Sequence, residues 1–386
     1  MTAATPEAQT IHWTENGTDH SALWRSESGM APPKRIVIAD DTTNADTAYR
    51  LACEGTALLW KGDFQNARQL LQALARRADH KGSKGKKSKA PKVPATPTEA
   101  FHLHRQAQSQ RGRTLAMLLV PFEADYSIPL RRAPDVKLAC NEAYGRGEHP
   151  FAMSLRELLG VIGAHEWRRN GVEIPALGER IHPHYGVFSP VRGEYVALVN
   201  EAPLPKNAKL AFDIGVGTGV LSAVLARRGI ERVVATDQDQ RALSCARENL
   251  HNLDLSRQVE LVKANLFPEG RAPLVVCNPP WVPARPSSPI EHAVYDPDSA
   301  MLRGFLGGLK DHLTPGGEGW LILSDLAEHL GLRPREQLME WIAAAGLKVL
   351  ERHDVRPTHA RAADATDPLH AARAAEVTSL WRLAAA

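Results

Sequence analysis

The run LAFDIGVG (210–217), continued by Thr218 and Gly219, passes from a short apolar strand into a turn spaced D-x-G-x-G-x-G, with Asp213, Gly215, Gly217 and Gly219 at its named positions. Glycines there let the backbone turn tightly and let a ligand lie against it. Outward from this turn, RVVATDQ (232–238), VELVKANLF (259–267) and LVVCNPPW (274–281) are further β-rich runs, and helical stretches near 218–229 and 239–251 separate the first three strands. Then come a helix near 298–313, a strand GWLILSDL (319–326), a helix near 334–345 and strands near 347–355 and 376–384. Strand–helix alternation implies right-handed crossovers and a parallel sheet with helices on both faces. The last two strands, with no helix read between them, are expected to pair antiparallel at one edge. The fold class is α/β: a seven-stranded, doubly wound, mostly parallel sheet with an N-terminal α+β extension.

At ~150 residues per domain, the 386 residues suffice for two or three domains, or one large domain with an extension. The composition, 43% hydrophobic and 24% charged, is ordinary for a globular chain. No apolar run approaches the ~20 residues of a membrane span, and the polar start MTAATPEAQTIHWTENG has no apolar core of a secretory signal. Cys53, Cys140, Cys245 and Cys277 are far apart and form no C-x-x-C pair. That argues against a disulfide framework or a thiolate zinc knuckle and fits a reducing cytosol, so a cytoplasmic protein is expected. Lys+Arg exceed Asp+Glu by 47 − 44 = +3. The sign comes from KGSKGKKSKAPK (81–92): without Lys81, Lys84, Lys86, Lys87, Lys89 and Lys92 the balance is 41 − 44 = −3.

Residues 1–78 read as a helical and mixed region. Within it, 1–33 is expected to be loosely ordered, RIVIAD (35–40) is a buried strand, and 45–60 and 63–77 are helices. Phe64, Ala67, Leu70, Leu71 and Leu74 make one apolar stripe, and Asp63 is the N-cap. Residues 79–99, rich in Lys, Gly, Ser and Pro, are a linker. Its bland reading is a solvated tether; its sharper one is an arm that neutralises phosphates. Residues 100–171 complete an N-terminal substrate-docking region, with a strand RTLAMLLVPF (113–122) and a capping box of Ser154 and Glu157 before a helix. The strand–helix domain spans 172–386.

Two further signals carry chemistry. Asp237 ends the second strand twenty residues after Gly217, where a carboxylate can accept both ribose hydroxyls of an adenosine-type ligand. The spacing is not the G-x-G-x-x-G of nicotinamide binders, and no phosphate loop is present. At the end of the fourth strand stands Asn278-Pro279-Pro280-Trp281. Two prolines end any strand, and a Trp can be one more core aromatic. A functional reading uses every residue: the Asn278 side-chain oxygen and the Pro279 carbonyl can accept both hydrogens of one NH2, the prolines fix these acceptors, and Trp281 offers a flat face for stacking. Strand-end loops bind ligands in α/β sheets, so turn and loop should converge.

Together, FDIGVGTG, Asp237 and NPPW resemble the class I S-adenosylmethionine-dependent methyltransferases, in the N-methylating branch with a [DNS]-P-P-[YFW] loop, over roughly 172–386. ERIHPHYGVFSPVRGEYVALV (179–199) is similar to the leading strand and helix of the methyltransferase small-domain group. That group holds glutamine methyltransferases of release factors and ribosomal proteins and guanine-N2 methyltransferases of ribosomal RNA. The resemblance implies a Rossmann-like methyltransferase fold, S-adenosylmethionine as cofactor, and a ribosomal or translation-factor protein or rRNA as partner. By position it assigns Asp213, Gly215, Gly217 and Gly219 to the methionine and ribose parts, Asp237 to the ribose hydroxyls and Asn265 to the adenine amine. Asn at 265 leans toward the RNA enzymes. The loop's fourth residue is usually Tyr or Phe, so Trp281 keeps stacking but alters the pocket.

On this reading the nitrogen's delocalised lone pair is oriented toward the sulfonium methyl by the two acceptors, and positioning drives an in-line displacement. A scaffold that has lost catalysis is the alternative from another class. Against a DNA adenine-N6 methyltransferase, only 386 − 281 = 105 residues follow Trp281, and three strands with their helices use them. His182 with His184, and His102 with His104, have i, i+2 spacing but no carboxylate or Cys partners at metal spacing, so no metal site is expected. His182 and His184 are candidates for substrate contact. Cys277 reads as packing, and Arg105, Arg111 and Arg113 as a solvated face.

Overall fold

The computed structural model describes residues 9–79, 94–191, 193–286, 289–357 and 364–386, so the lysine stretch 81–92 lies outside the described residues. The chain forms two compact units, Met1–Val93 with Arg105–Glu166, and Pro94–His104 with Trp167–Ala386. This division does not follow chain order as boundaries at 79, 100 and 172 do. No helix among the described residues is long and apolar enough to cross a membrane.

The first unit contains β1 (Thr10–Glu15), β2 (Thr18–Arg25), β3 (Arg35–Ala39), α1 (Ala45–Cys53), β4 (Thr56–Trp60), α2 (Phe64–Asp79), most of α3 (Pro97–Ala116), β5 (Leu118–Phe122), α4 (Lys137–Tyr144), β6 (Phe151–Ser154) and most of α5 (Leu155–Asn170). Its six strands run in the order β1-β2-β6-β5-β4-β3.

Five expectations need correction here. Residues 10–25 are not loose but a hairpin, turned on Asn16 (φ 51°) and Gly17 (φ 78°), a two-residue loop with both dihedrals positive. The helix read over 45–60 stops at Cys53; Gly55 (φ 78°) turns the chain into β4. All five residues of β4 are buried, so it lacks the alternation that marks a half-exposed strand. The linker is narrower than 79–99, since α2 includes Asp79, which pairs with Arg111 at 2.7 Å, and α3 begins at Pro97. The strand read over 113–122 loses its first residues to α3, where the Thr114 hydroxyl donates to the Gln110 carbonyl (3.1 Å). A helix does start after Ser154, but without the capping box: Glu157 accepts the backbone N–H groups of Glu27 and Ser28 instead. Asp63 caps α2 as expected, accepting the Gln65 N–H at 2.8 Å.

The second unit opens with a small hairpin, β7 (Val172–Ile174) and β8 (Glu179–Ile181), then α6 (Glu194–Glu201). There follow β9 (Leu210–Ile214), α7 (Val220–Arg227), β10 (Arg232–Asp237), α8 (Gln240–Asn252), β11 (Val259–Lys263), β12 (Ala272–Cys277), α9 (Ala300–His312), β13 (Leu313–Ser324), α10 (Leu326–His329), α11 (Arg335–Ala344), β14 (Leu347–Val355), α12 (His370–Ala375) and β15 (Thr378–Ala385). The seven-stranded sheet has the order β11-β10-β9-β12-β13-β15-β14. Its first five strands are mutually parallel, and β15 is antiparallel to both β13 and β14; the expected edge pairing forms although α12, not read from the sequence, stands between β14 and β15.

Alternation along the strands explains the two layers. Ala211, Leu274 and Val276 face a core shared with α6, α7 and α8; Phe212, Ile214, Val275 and Cys277 face one shared with α9 and α11. Both faces are covered, which is why these strands read as continuous apolar runs. The helices following β9 and β12 lie on opposite faces, so the space between these two neighbouring strands is the topological switch point, where open α/β sheets bind ligands.

Candidate active site

The two motif loops leave adjacent strands at the same edge. Ile214 and Cys277 are register partners in the parallel β9–β12 pair, so Gly215 and Asn278 begin their loops side by side.

The glycine turn is built by positive dihedrals at Gly215 (83°), Gly217 (52°) and Gly219 (85°). The N–H groups of Gly215 and Val216 both donate to the Thr236 carbonyl, at 2.9 and 2.8 Å, which ties the turn to β10. A Cβ at Gly219 would stand 3.3 Å from the Ala246 Cβ on α8, whereas one at Gly217 would meet nothing within 4 Å. Gly219 therefore serves packing, and Gly217 borders open space. A Cβ at Gly215 would stand 3.0 Å from the Met301 methyl, so the start of α9 overhangs the turn.

Asp213 is 1% exposed. One carboxylate oxygen accepts the Ser222 hydroxyl at 2.5 Å; the other has no hydrogen-bond partner among the described residues. Burial pushes its pKa up to about 6, opposed by the Ser222 bonds and aided by the nearby Asp237 charge. The buried Tyr195 phenol is raised by burial and by Asp213. Asp237, at the end of β10, accepts the Gly217 N–H (3.2 Å) on one oxygen and the Asp239 N–H (2.9 Å) on the other, and burial raises its pKa. The turn after β11 is fastened beside it: Ala264 N–H donates to the Asp237 carbonyl (3.2 Å), the Thr236 hydroxyl to the Leu266 carbonyl, and Asn265 between them is exposed.

In the second loop Pro279 is buried, while Asn278, Pro280 and Trp281 are half-buried. The Trp281 indole N–H donates to the Asn278 side-chain oxygen at 2.9 Å. Arg333, 1% exposed, donates to the Trp281 carbonyl and the Ser299 hydroxyl, both at 3.4 Å. Burial lowers its pKa, with Glu328 and Asp296 opposing. Asp296 accepts the Met301 and Leu302 N–H groups (3.0 and 3.2 Å), and its own N–H returns to the Val282 carbonyl (2.9 Å), closing the loop. Phe101, Val282, Leu330, Leu369 and Ala372 form an apolar cluster against which Trp281 packs. Thr98 fixes this segment by donating to the Leu330 carbonyl at 2.9 Å.

Arg333, Asp296, Met301 and Phe101 carry no local motif, and only the Pro-Pro bend hinted that something must hold the loop. His182 and His184 are committed to structure. The His182 ring meets the Arg168 carbonyl at 2.7 Å, and its backbone N–H donates to Asn249 at 2.8 Å; Asn249 in turn donates to the Thr218 carbonyl (3.0 Å). His184 meets Glu248 at 3.0 Å. Cys277 is packed in the core; burial raises its thiol well above the ordinary value, with Asp213 and Asp296 adding to the effect. Among the described residues no three His, Cys, Asp or Glu side chains converge on a metal position.

The strand order and the glycine turn at its switch point define a class I methyltransferase fold. Residues 179–338 match the family described as methyltransferase small domain. A protein of Methanocaldococcus jannaschii whose name assigns it protein N5-glutamine methylation is 28% identical over 165 residues, 40% of this chain and 80% of that one. The release factor glutamine methyltransferase of Cereibacter sphaeroides is 32% identical over 132 residues, 30% of this chain and 47% of that one. A tRNA1(Val) (adenine(37)-N6)-methyltransferase of a Shewanella strain is 24% identical over 171 residues, 42% of this chain and 71% of that one.

Proposed function

We propose that the chain is an S-adenosylmethionine-dependent N-methyltransferase acting in the cytoplasm on a planar nitrogen, a protein glutamine amide or an RNA base amine, of the translation apparatus. The observation that carries this reading is the side-by-side departure of the Gly215 turn and the Asn278 loop from register partners Ile214 and Cys277. The residues suit the cofactor: Asp213 keeps one buried carboxylate oxygen unsatisfied, matching an ammonium, and Gly217 borders open space. Asp237 stands where ribose hydroxyls would replace or share its backbone donors, and exposed Asn265 stands next to it for the adenine amine.

When bound, the cofactor supplies an electrophilic sulfonium methyl. Asn278 and the Pro279 carbonyl accept the two hydrogens of the substrate NH2 and aim its lone pair, while Trp281 stacks on the planar group. These acceptors also favour the positive charge developing on nitrogen. The proton leaves to water after transfer, so the step requires no side-chain base.

Isothermal titration with S-adenosylmethionine tests the reading first: binding heat and a thermal shift below millimolar cofactor support it, and neither at millimolar cofactor sinks it. Tritiated-methyl transfer into cell extract, followed by nuclease or protease digestion, then separates base from amide.

A further inference from the structure

We propose that Trp281 has a second task besides stacking: its indole N–H clamps the Asn278 amide so that oxygen, not NH2, is held for the substrate. This deepens the function proposed above and rests on it.

An Asn side chain has two faces that differ only in O and NH2, and rotation by half a turn exchanges an acceptor for a donor. A loop that must accept a substrate N–H therefore needs something that fixes the orientation. The indole N–H is a donor only. At 2.9 Å from Asn278 Oδ1 it bonds the oxygen and would repel the NH2. A carbonyl-type oxygen has two lone pairs, so one stays available for the incoming nitrogen. The indole is itself held in place. Arg333 donates to the Trp281 carbonyl, and the ring packs on the Phe101–Val282–Leu330 cluster. A Phe ring at position 281 would stack but has no N–H, so the unusual Trp is accounted for by the clamp.

Replacing Asn278 by Asp supplies a decisive control, because a carboxylate presents an acceptor in either orientation and needs no clamp. The expected result is that Trp281→Phe lowers kcat about fivefold more in the wild-type background than in Asn278→Asp, the size of one ordinary hydrogen bond, with cofactor affinity unchanged. Equal losses in both backgrounds, or a rise in turnover on Trp281→Phe, would overturn the clamp. A second measurement does not depend on activity. In 1H–15N spectra the indole signal missing from Trp281→Phe should be protected from hydrogen exchange in the wild type and in Asn278→Asp, and lose that protection in Asn278→Ala. An unprotected Trp281 indole in the wild type rejects the clamp, whether or not the protein methylates anything. Protection without any cofactor binding rejects the proposed function and leaves the clamp standing.

Discussion

Replacing Gly217 by alanine separates what the glycine turn does for the fold from what it does for a ligand. Gly217 has φ 52°, inside the left-handed region, and a Cβ there would meet nothing within 4 Å. The expected damage to the fold is the left-handed penalty alone, about 1–2 kcal/mol. For a unit of this size each kcal/mol moves the melting temperature by about 2–4 °C, so Gly217→Ala should unfold roughly 2–8 °C lower and remain folded at 25 °C. The new methyl, however, would occupy the open side of the turn. Affinity for S-adenosylmethionine should fall at least about tenfold, or ~1.4 kcal/mol. Gly219→Ala is the contrast, because its Cβ would press on Ala246 at 3.3 Å in addition to adopting φ 85°. It should lose more stability and act on affinity only through the displaced turn. Differential scanning fluorimetry and isothermal titration on both variants read the two effects separately. Cofactor affinity within twofold of wild type for Gly217→Ala would refute the placement of the cofactor against this turn.

Further outcomes follow from the same geometry. Asp213 holds its proton up to about pH 6 in the folded unit against an ordinary value of 3.8. The folded state therefore binds more protons than the unfolded chain between those values, and stability falls as pH rises through that window, by roughly 3 kcal/mol. Asp213→Asn should melt up to ~10 °C above wild type near pH 8, with the gap closing toward pH 4, while binding cofactor more weakly; pH-resolved melting curves check the sign. Asn278→Ala should lower kcat about a hundredfold, ~3 kcal/mol, with little change in cofactor affinity. Arg333→Met removes the donor to the Trp281 carbonyl and should lower kcat about tenfold through misplaced acceptors, read as kcat against cofactor affinity. Phe101→Ala should cost about 3–5 kcal/mol of stability by opening a cavity beneath Trp281, measured by denaturant unfolding.

The catalytic-type sheet was legible because its strands are buried on both faces and end in chemistry that periodicity cannot supply: glycines at 215, 217 and 219, an acid at 237, prolines at 279 and 280. The strand β4 was not, because TALLW is buried all round and follows a helix without a proline to mark the break. The β1–β2 hairpin carried its signal in Asn16-Gly17, which the polar composition of residues 1–33 obscured. The capping pattern at Ser154 and Glu157 failed because a distant backbone, Glu27 and Ser28, competes for the same carboxylate. The supports of the second loop are long-range: Arg333 meets Trp281 across 52 residues, and Thr98 reaches Leu330 across 232. No local pattern encodes contacts of that separation. The contacts of the histidine pair were hidden for the same reason, since their partners Arg168, Glu248 and Asn249 lie on α5 and α8.

One comparison bears most directly on the meeting of donor and planar nitrogen between β9 and β12: tritiated-methyl incorporation into a translation extract by wild type and by Asn278→Ala at matched cofactor occupancy. Label should enter macromolecules with the wild type and drop about a hundredfold with the variant. Undiminished labelling by Asn278→Ala, or no labelling by a wild type that binds the cofactor, would contradict the account.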